Sequence, residues 1–333
     1  MQTLPALTDA ARALPDIRFD WVVDESFAQV ATWHPSVETV IPSAFRRWRR
    51  EPVRAYRSGE ARAFLKKLRA QKYDLIVDVQ CELKSALAAR LARGVRHGYD
   101  RASVHEWGAQ VFYRHQHSVS KAQHSIERMR ELLARVLGYS YAANELDYGI
   151  DRTRLGAPVL ELPEPFIVLI HSTSWTSKNW PETYWQALTA KATAAGLRVV
   201  LPWGSEAERA RAERIAGANK KAIVLPALSI TEKAAVIARA AATVGLDTGL
   251  SHIAAALNVP SVTIYGATSP ARCGALGRQQ LHLVSDFACL NCHQTTCTHK
   301  DAAGTEPACL VGITPQRVWT ELQELMKEAT VYV

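Results

Sequence analysis

Beyond residue 150 one pattern governs the chain: short, uninterrupted apolar runs alternate with stretches of helical periodicity. Phe166-Ile167-Val168-Leu169-Ile170 opens the series. Runs without polar alternation suit strands covered on both faces, and strands joined through helices lie parallel. The series continues as helix 181–195, strand 197–201, helix 205–216, strand 222–225, helix 230–240, strand 242–246, helix 249–258, strand 261–265 and a closing helix at 314–328. This succession predicts a Rossmann-like α/β domain over 151–333.

Residues 1–150 repeat the theme less regularly, with helices expected at 5–14, 58–70, 82–92 and 121–137 and strands at 17–23, 37–41, 73–79 and 94–99. The stretch 139–165, carrying Pro158, Pro163 and Pro165, reads as the linker. Length agrees, because 333 residues exceed the usual size of one hydrophobic core. A doubly wound domain normally opens on a strand that feeds the first helix, whereas this sequence opens on the helix itself. The N-terminal domain is therefore expected to lack its first strand.

Charge separates the halves further. The net charge is +8, with 23 Lys/Arg against 17 Asp/Glu in 1–150 and 17 against 15 in 151–333. Arg46 to Lys72 holds 11 basic residues and only Glu51 and Glu60 as acids. Such a bias implies an anionic ligand or an anionic lipid surface. No nucleic-acid-binding motif accompanies it, so nucleic acid is not an expected partner. No apolar run approaches the roughly 20 residues of a bilayer span, and the first residues lack a signal-peptide pattern. The expected compartment is the cytoplasm, with peripheral membrane contact through the basic half.

Three strand ends carry polar residues suited to chemistry. After strand 242–246, Asp247-Thr248-Gly249-Leu250-Ser251-His252 opens a helix: Asp247 is placed to cap it, Gly249 permits close backbone approach, and unpaired N–H groups favour an anion. Ser251 and His252 would add donors to a phosphate. After strand 166–170, the loop from His171 to Pro181 offers Thr173 and Ser174 as hydroxyls and Lys178 as a cation for a departing diphosphate. After strand 197–201, Trp203-Gly204-Ser205-Glu206-Ala207-Glu208 places carboxylates where ribose hydroxyls are bound in other nucleotide sites. Each has a plainer alternative, a helix cap or a solvated surface charge, and their common location at strand ends favours a site.

Cys289-x2-Cys292-x4-Cys297-x11-Cys309, with His293 and His299 nearby, gathers four thiols in 21 residues. A zinc knuckle is one reading, but the spacing is not that of a standard zinc pair. Reduced loop thiols are the favoured reading, and no cofactor is expected.

Taken together, HSTS...KNWPETYW, LPWGSEAE, LDTGLSHIAAAL and YGATSPARCG resemble the heptosyltransferase family of lipopolysaccharide core synthesis. LPALTDAARALPDIRFDWVVDESFAQV, RRWRR and QHSIERMRELL extend the resemblance over nearly the whole chain. It implies a GT-B fold, in which two Rossmann-like domains, here 1–150 for the acceptor and 151–333 for the donor, face across a cleft. The implied reaction is inverting transfer of L-glycero-D-manno-heptose from ADP-heptose to the inner Kdo of Kdo2-lipid A. Matched to the family's donor positions are Thr173, Ser174, Lys178, Glu208, Asp247, Thr248, Gly249 and His252, with Lys178 stabilising the leaving group and Glu208 holding the ribose. Arg46, Arg47, Arg49 and Arg50 match the stretch that receives the acceptor's phosphates and carboxylates.

Two departures stand out. The family's general-base Asp belongs to a loop expected upstream of Met1, and Cys81 stands where relatives carry glycine after Gln80. Other readings remain open at this level: transfer to an already heptosylated acceptor, as by heptosyltransferase II, a nucleotide-sugar epimerase, or a non-catalytic sugar-nucleotide binder.

Overall fold

The structure, a computed structural model, describes residues 1–156, 160–299, 304 and 307–331. Pro158, assigned to the linker from sequence, lies outside the described residues. The chain divides into two compact units, Gln2–Arg154 and Leu155–Val333.

In the first unit β1 (Phe19–Asp24) pairs in parallel with β2 (Val37–Ser43). A second parallel sheet runs in the order β3 (Leu75–Val77), β4 (Val95–Tyr99) and β5 (His115–His117). Among the described residues the two ladders are separate sheets, with no strand pairing between them. The short His115–His117 strand escaped the sequence reading because three polar residues show no apolar run.

Helix Leu4–Ala13 packs against helix Ser125–Leu137. Arg130 ties the two together. Only 1% exposed, its guanidinium donates to both Asp9 oxygens at 2.6 and 3.3 Å, to Glu127 at 2.9 Å, and to the carbonyls of Ala142 and Glu145 at 2.9 and 2.7 Å. A charge this deep persists only when fully partnered.

The basic stretch folds as three short helices, Phe45–Arg50, Pro52–Arg57 and Glu60–Leu68. Sequence periodicity captured only the last, since the first two are arginine-rich and show no apolar stripe. The first is anchored to the third by aromatic contacts: Phe45 and Trp48 meet Phe64 edge-on at 5.4 and 5.5 Å between ring centroids.

Six parallel strands make the second unit: β6 (Phe166–Ile170), β7 (Arg198–Leu201), β8 (Ala222–Val224), β9 (Ala242–Leu246), β10 (Ser261–Tyr265) and β11 (Gln280–Val284). Their order is β11-β10-β9-β6-β7-β8. Every residue of β6, β9 and β10 is buried, which explains why those segments carry unbroken apolar runs. Trp180 and Trp185, both fully buried, cross edge-to-face at 5.0 Å, and the Trp180 indole N–H donates to the Ile313 carbonyl at 2.8 Å. That bond fixes the approach to the C-terminal helix Pro315–Val331. The sheet order also defines a crevice. Strands run outward in opposite directions from the β6–β9 pair, so connections after these two strands part and leave space at their carboxyl ends.

Candidate functional site

Lys178 and Asp247 span this crevice. Lys178 sits in a single 3-10 turn, Thr176–Lys178, after β6, and Asp247 directly follows β9. Their side chains meet at 2.7 Å, with 14% and 10% exposure. The Lys178 ammonium also lies 4.3 Å from the centre of the Trp175 ring. Thr268, from the loop after β10, donates its hydroxyl to the same Asp247 oxygen at 2.7 Å, and His252 Nε2 stands 3.9 Å from the other.

Asp247 thus departs from its sequence assignment. It does not cap the following helix; it orients Lys178 and Thr268. Thr248 is the N-cap of helix Gly249–Ala256, in extended backbone and without a side-chain cap bond. A Cβ placed on Gly249 would meet no atom within 4 Å, so the first helical turn opens onto free space. Ser251 is a second correction. Its hydroxyl, 1% exposed, donates to the Leu246 carbonyl at 2.6 Å and faces the strand instead of a ligand. Leu246–Ser251 packing requires glycine at 245, since a Cβ there would overlap the Ser251 hydroxyl and lie 3.2 Å from the Ile170 Cβ.

Around this centre, Thr173 is half-buried with its N–H donating to Asn179 Oδ1 at 3.3 Å, and Ser174 is exposed. Glu208 lies one strand away, after β7, in helix Glu206–Ala216. Its carboxylate accepts from the Gly204 N–H at 2.6 Å and is near enough to Lys233 to oppose the lowering of that ammonium's pKa by burial. Glu208 is therefore held at the β7 end rather than merely lining a helix terminus. Thr268, Trp175 and Lys233 were not singled out from sequence. Thr268 had a signal, because it lies in the loop that follows β10, the strand beside β9.

The Cys-rich segment bears on this site structurally. Carbonyls of Gln294 and Thr295 accept from the Ser177 hydroxyl, the Thr176 hydroxyl and the Ser177 N–H, while Asn291 and His293 N–H groups donate to Gly266 and Ala267 carbonyls at 3.0 Å. One segment thereby braces both the Lys178 turn and the Thr268 loop. Burial pushes the Cys309 thiol up to about 11, and the Cys289, Cys297 and Cys292 thiols add to that rise, so the four lie within electrostatic reach. Among the described residues no group of three or more His, Cys, Asp or Glu is arranged to hold a metal ion.

In the first unit the four candidate arginines behave differently. Arg47 is engaged by Glu25 at 2.9 and 3.0 Å and by Glu60 at 2.8 Å. Its guanidinium is occupied by this surface pair of carboxylates. Arg46 is exposed, 4.0 Å from Asp24, and Arg49 and Arg50 are exposed without a carboxylate partner among the described residues. Arg50 also lines an open hollow of about 720 Å³ with Val53, Arg54 and Arg57. Cys81 adopts φ 51°, the left-handed region that glycine favours, and its thiol donates to the Asp78 carbonyl at 2.9 Å. The loop keeps a glycine-type conformation without the glycine. Asp78 holds it by accepting from Gln80 and Cys81 N–H, the Ser85 hydroxyl and the Tyr113 hydroxyl.

Two α/β units of Rossmann type, the second with a cation, an anion-receptive helix start and a carboxylate at adjacent strand ends, define a GT-B glycosyltransferase. Residues 61–303 match the family described as glycosyltransferase family 9 (heptosyltransferase). The chain is 45% identical over 336 residues to lipopolysaccharide heptosyltransferase 1 of Pseudomonas aeruginosa, covering 98% of this chain and 94% of that one. It is 44% identical over 282 residues to lipopolysaccharide heptosyltransferase 1 of Escherichia coli K12, covering 84% and 88%. Its structure resembles that of E. coli heptosyltransferase WaaC with ADP, at a TM-score of 0.85 and 39% identity, covering 97% of this chain and 95% of that one. This protein belongs to glycosyltransferase family 9, the heptosyltransferases, and is a glycosyltransferase of lipopolysaccharide core synthesis.

Proposed function

We propose that the protein transfers L-glycero-D-manno-heptose, with inversion, from ADP-heptose to the inner Kdo of Kdo2-lipid A, working peripherally on the cytoplasmic face of the inner membrane. The observation that carries this is the Lys178–Asp247 pair at the β6–β9 crevice, 2.7 Å across and next to the open first turn of helix Gly249–Ala256. Helix N–H groups and an ammonium suit a diphosphate, and Glu208 at the neighbouring strand end suits the ribose. The solved structure of E. coli heptosyltransferase WaaC with ADP-2-deoxy-2-fluoro heptose supports the donor.

In this reading Asp247 and Thr268 set the direction of Lys178 before the donor arrives. As the glycosidic bond lengthens, negative charge grows on the ADP oxygen, and the oriented ammonium meets it without reorganising. Thr173, Ser174, Thr248, Gly249 and His252 frame the phosphates. Arg46, Arg49 and Arg50 receive the anionic acceptor, and Arg47 holds their helix in place through Glu25 and Glu60.

The test is incubation with ADP-heptose and either Kdo2-lipid A or its heptosylated product, reading mass gain and anomeric configuration. A single heptose added to Kdo2-lipid A with inverted configuration is the expected result. Transfer only to the heptosylated acceptor would overturn the acceptor assignment, and no transfer to either would overturn the reaction.

A further inference from the structure

Helix Leu83–Leu91 is built inside out. Its inward positions are the small residues Ala86, Ala88 and Ala89, while Leu83, Leu87 and Leu91 are 48%, 46% and 36% exposed. Four-residue spacing keeps these leucines within a stripe about 80° wide, and Arg90 lies about 20° beyond its edge. Trp107 and Val111, 72% and 71% exposed, extend it. The Leu83 N–H donates to Glu106 at 2.6 Å, and a Cβ on Gly108 would lie 3.6 Å from the Leu83 side chain, so segment 106–111 abuts the head of the stripe. A lone exposed leucine needs no explanation, whereas a contiguous group of large apolar side chains marks a contact surface.

Charge identifies what it contacts. Between Leu83 and His117 there are six Lys/Arg against two acids, Asp100 and Glu106, and Arg90, Arg93, Arg101 and Arg114 are exposed. The inward face of the helix, through Ala88 and Ala92, packs with Phe64 and Leu68, against which Phe45 and Trp48 also pack. The arginine-bearing helix Phe45–Arg50 therefore belongs to the same layer. A second copy would bring the same excess of cations face to face and be repelled. A bilayer interface with anionic headgroups matches both features: leucine and tryptophan enter the headgroup boundary while arginines reach the phosphates.

We propose that Leu83, Leu87, Leu91, Trp107 and Val111 form the surface that seats the protein on an anionic lipid membrane. The proposal rests on the lipid-acceptor reading above and gives that membrane contact its location. The test is co-sedimentation with phosphatidylethanolamine–phosphatidylglycerol vesicles, with phosphatidylcholine vesicles as comparison, for the wild type and for Leu87→Glu/Trp107→Glu. The wild type is expected on the anionic vesicles and released by high salt, and the variant is expected to partition about tenfold more weakly. ADP affinity and transfer to detergent-solubilised acceptor should be unchanged. Equal partition of both proteins overturns the proposal. So does a wild type that binds no vesicles but dimerises through this face, with the double variant monomeric. A wild type that binds vesicles yet fails to glycosylate solubilised acceptor overturns the catalytic reading and leaves the surface standing, provided the variant loses the vesicles.

Discussion

Lys178→Ala strikes the centre of the crevice. In the wild type the ammonium is 2.7 Å from Asp247 and 4.3 Å from the centre of the Trp175 ring, mostly shielded from water. A preoriented group aimed at charge developing in a transition state contributes about 2.7–4 kcal/mol, or about 10²–10³ in rate. Here the alanine variant does more than delete a cation. It leaves the Asp247 carboxylate, 10% exposed, with the Thr268 hydroxyl and, at 3.9 Å, the His252 ring, facing an incoming diphosphate of the same sign. We therefore expect kcat/KM to fall by about 10³, at the upper end of that range, with ADP affinity also reduced. Removing the stranded carboxylate as well, in Lys178→Ala/Asp247→Ala, should recover about tenfold relative to the single variant, about 1.4 kcal/mol of transition-state free energy. Initial rates with ADP-heptose, calorimetric titration with ADP and thermal unfolding separate catalysis, binding and folding. A Lys178→Ala enzyme within about threefold of wild-type kcat/KM would refute the placement of Lys178 at the leaving group.

Acid should destabilise the protein before its carboxylates titrate. Burial pushes His34 and His171 down from 6.5 to about 4, so the folded state holds fewer protons than the unfolded chain between those pH values. Stability is full above pH 6.5 and falls as pH drops through that window, by about 2 kcal/mol per histidine at pH 5, readable as a lowered urea midpoint; no change between pH 7.5 and 5 would contradict it. Arg130→Ala should cost about 3–5 kcal/mol in unfolding free energy by leaving Asp9 buried without its cation, and a loss under about 1 kcal/mol would show the network to be dispensable. Glu208→Gln keeps an acceptor for the Gly204 N–H but removes the charge offered to the ribose; KM for ADP-heptose should rise about tenfold with kcat unchanged, and an equal fall in kcat would assign Glu208 to the chemistry instead.

The second unit was legible because its strands are buried on both faces, and burial on both faces writes an unbroken apolar run into the sequence. β11 was not foreseen: Gln280 and His282 interrupt its run, as an outer strand permits. Helices Phe45–Arg50 and Pro52–Arg57 were missed for the opposite reason, since the first is held by a few aromatic contacts, the second buries Ala55 alone, and both are otherwise arginine-rich. Site residues on strand-end loops could be located from order along the chain alone. Their partners could not. Whether Asp247 caps a helix or grips Lys178 is a choice between two local geometries, decided by Thr268 and Lys178, which are 21 and 69 residues away. Ser251 and Arg47 show the same limit: each has the right chemistry for a ligand, and each is engaged instead by a partner of the fold, a buried carbonyl for Ser251 and a surface pair of carboxylates for Arg47.

The segment from Asn291 to Thr295 holds the Lys178 turn with its carbonyls and the loop before Thr268 with its N–H groups. Two walls of the crevice hang from one strap, so they are not independently adjustable. Any change in the length or chemistry of that strap shifts Lys178 and Thr268 together, and with them the aperture offered to the donor. In the proposed donor site, changes in the strap would therefore bear on the fit of the sugar nucleotide through Lys178 and Thr268.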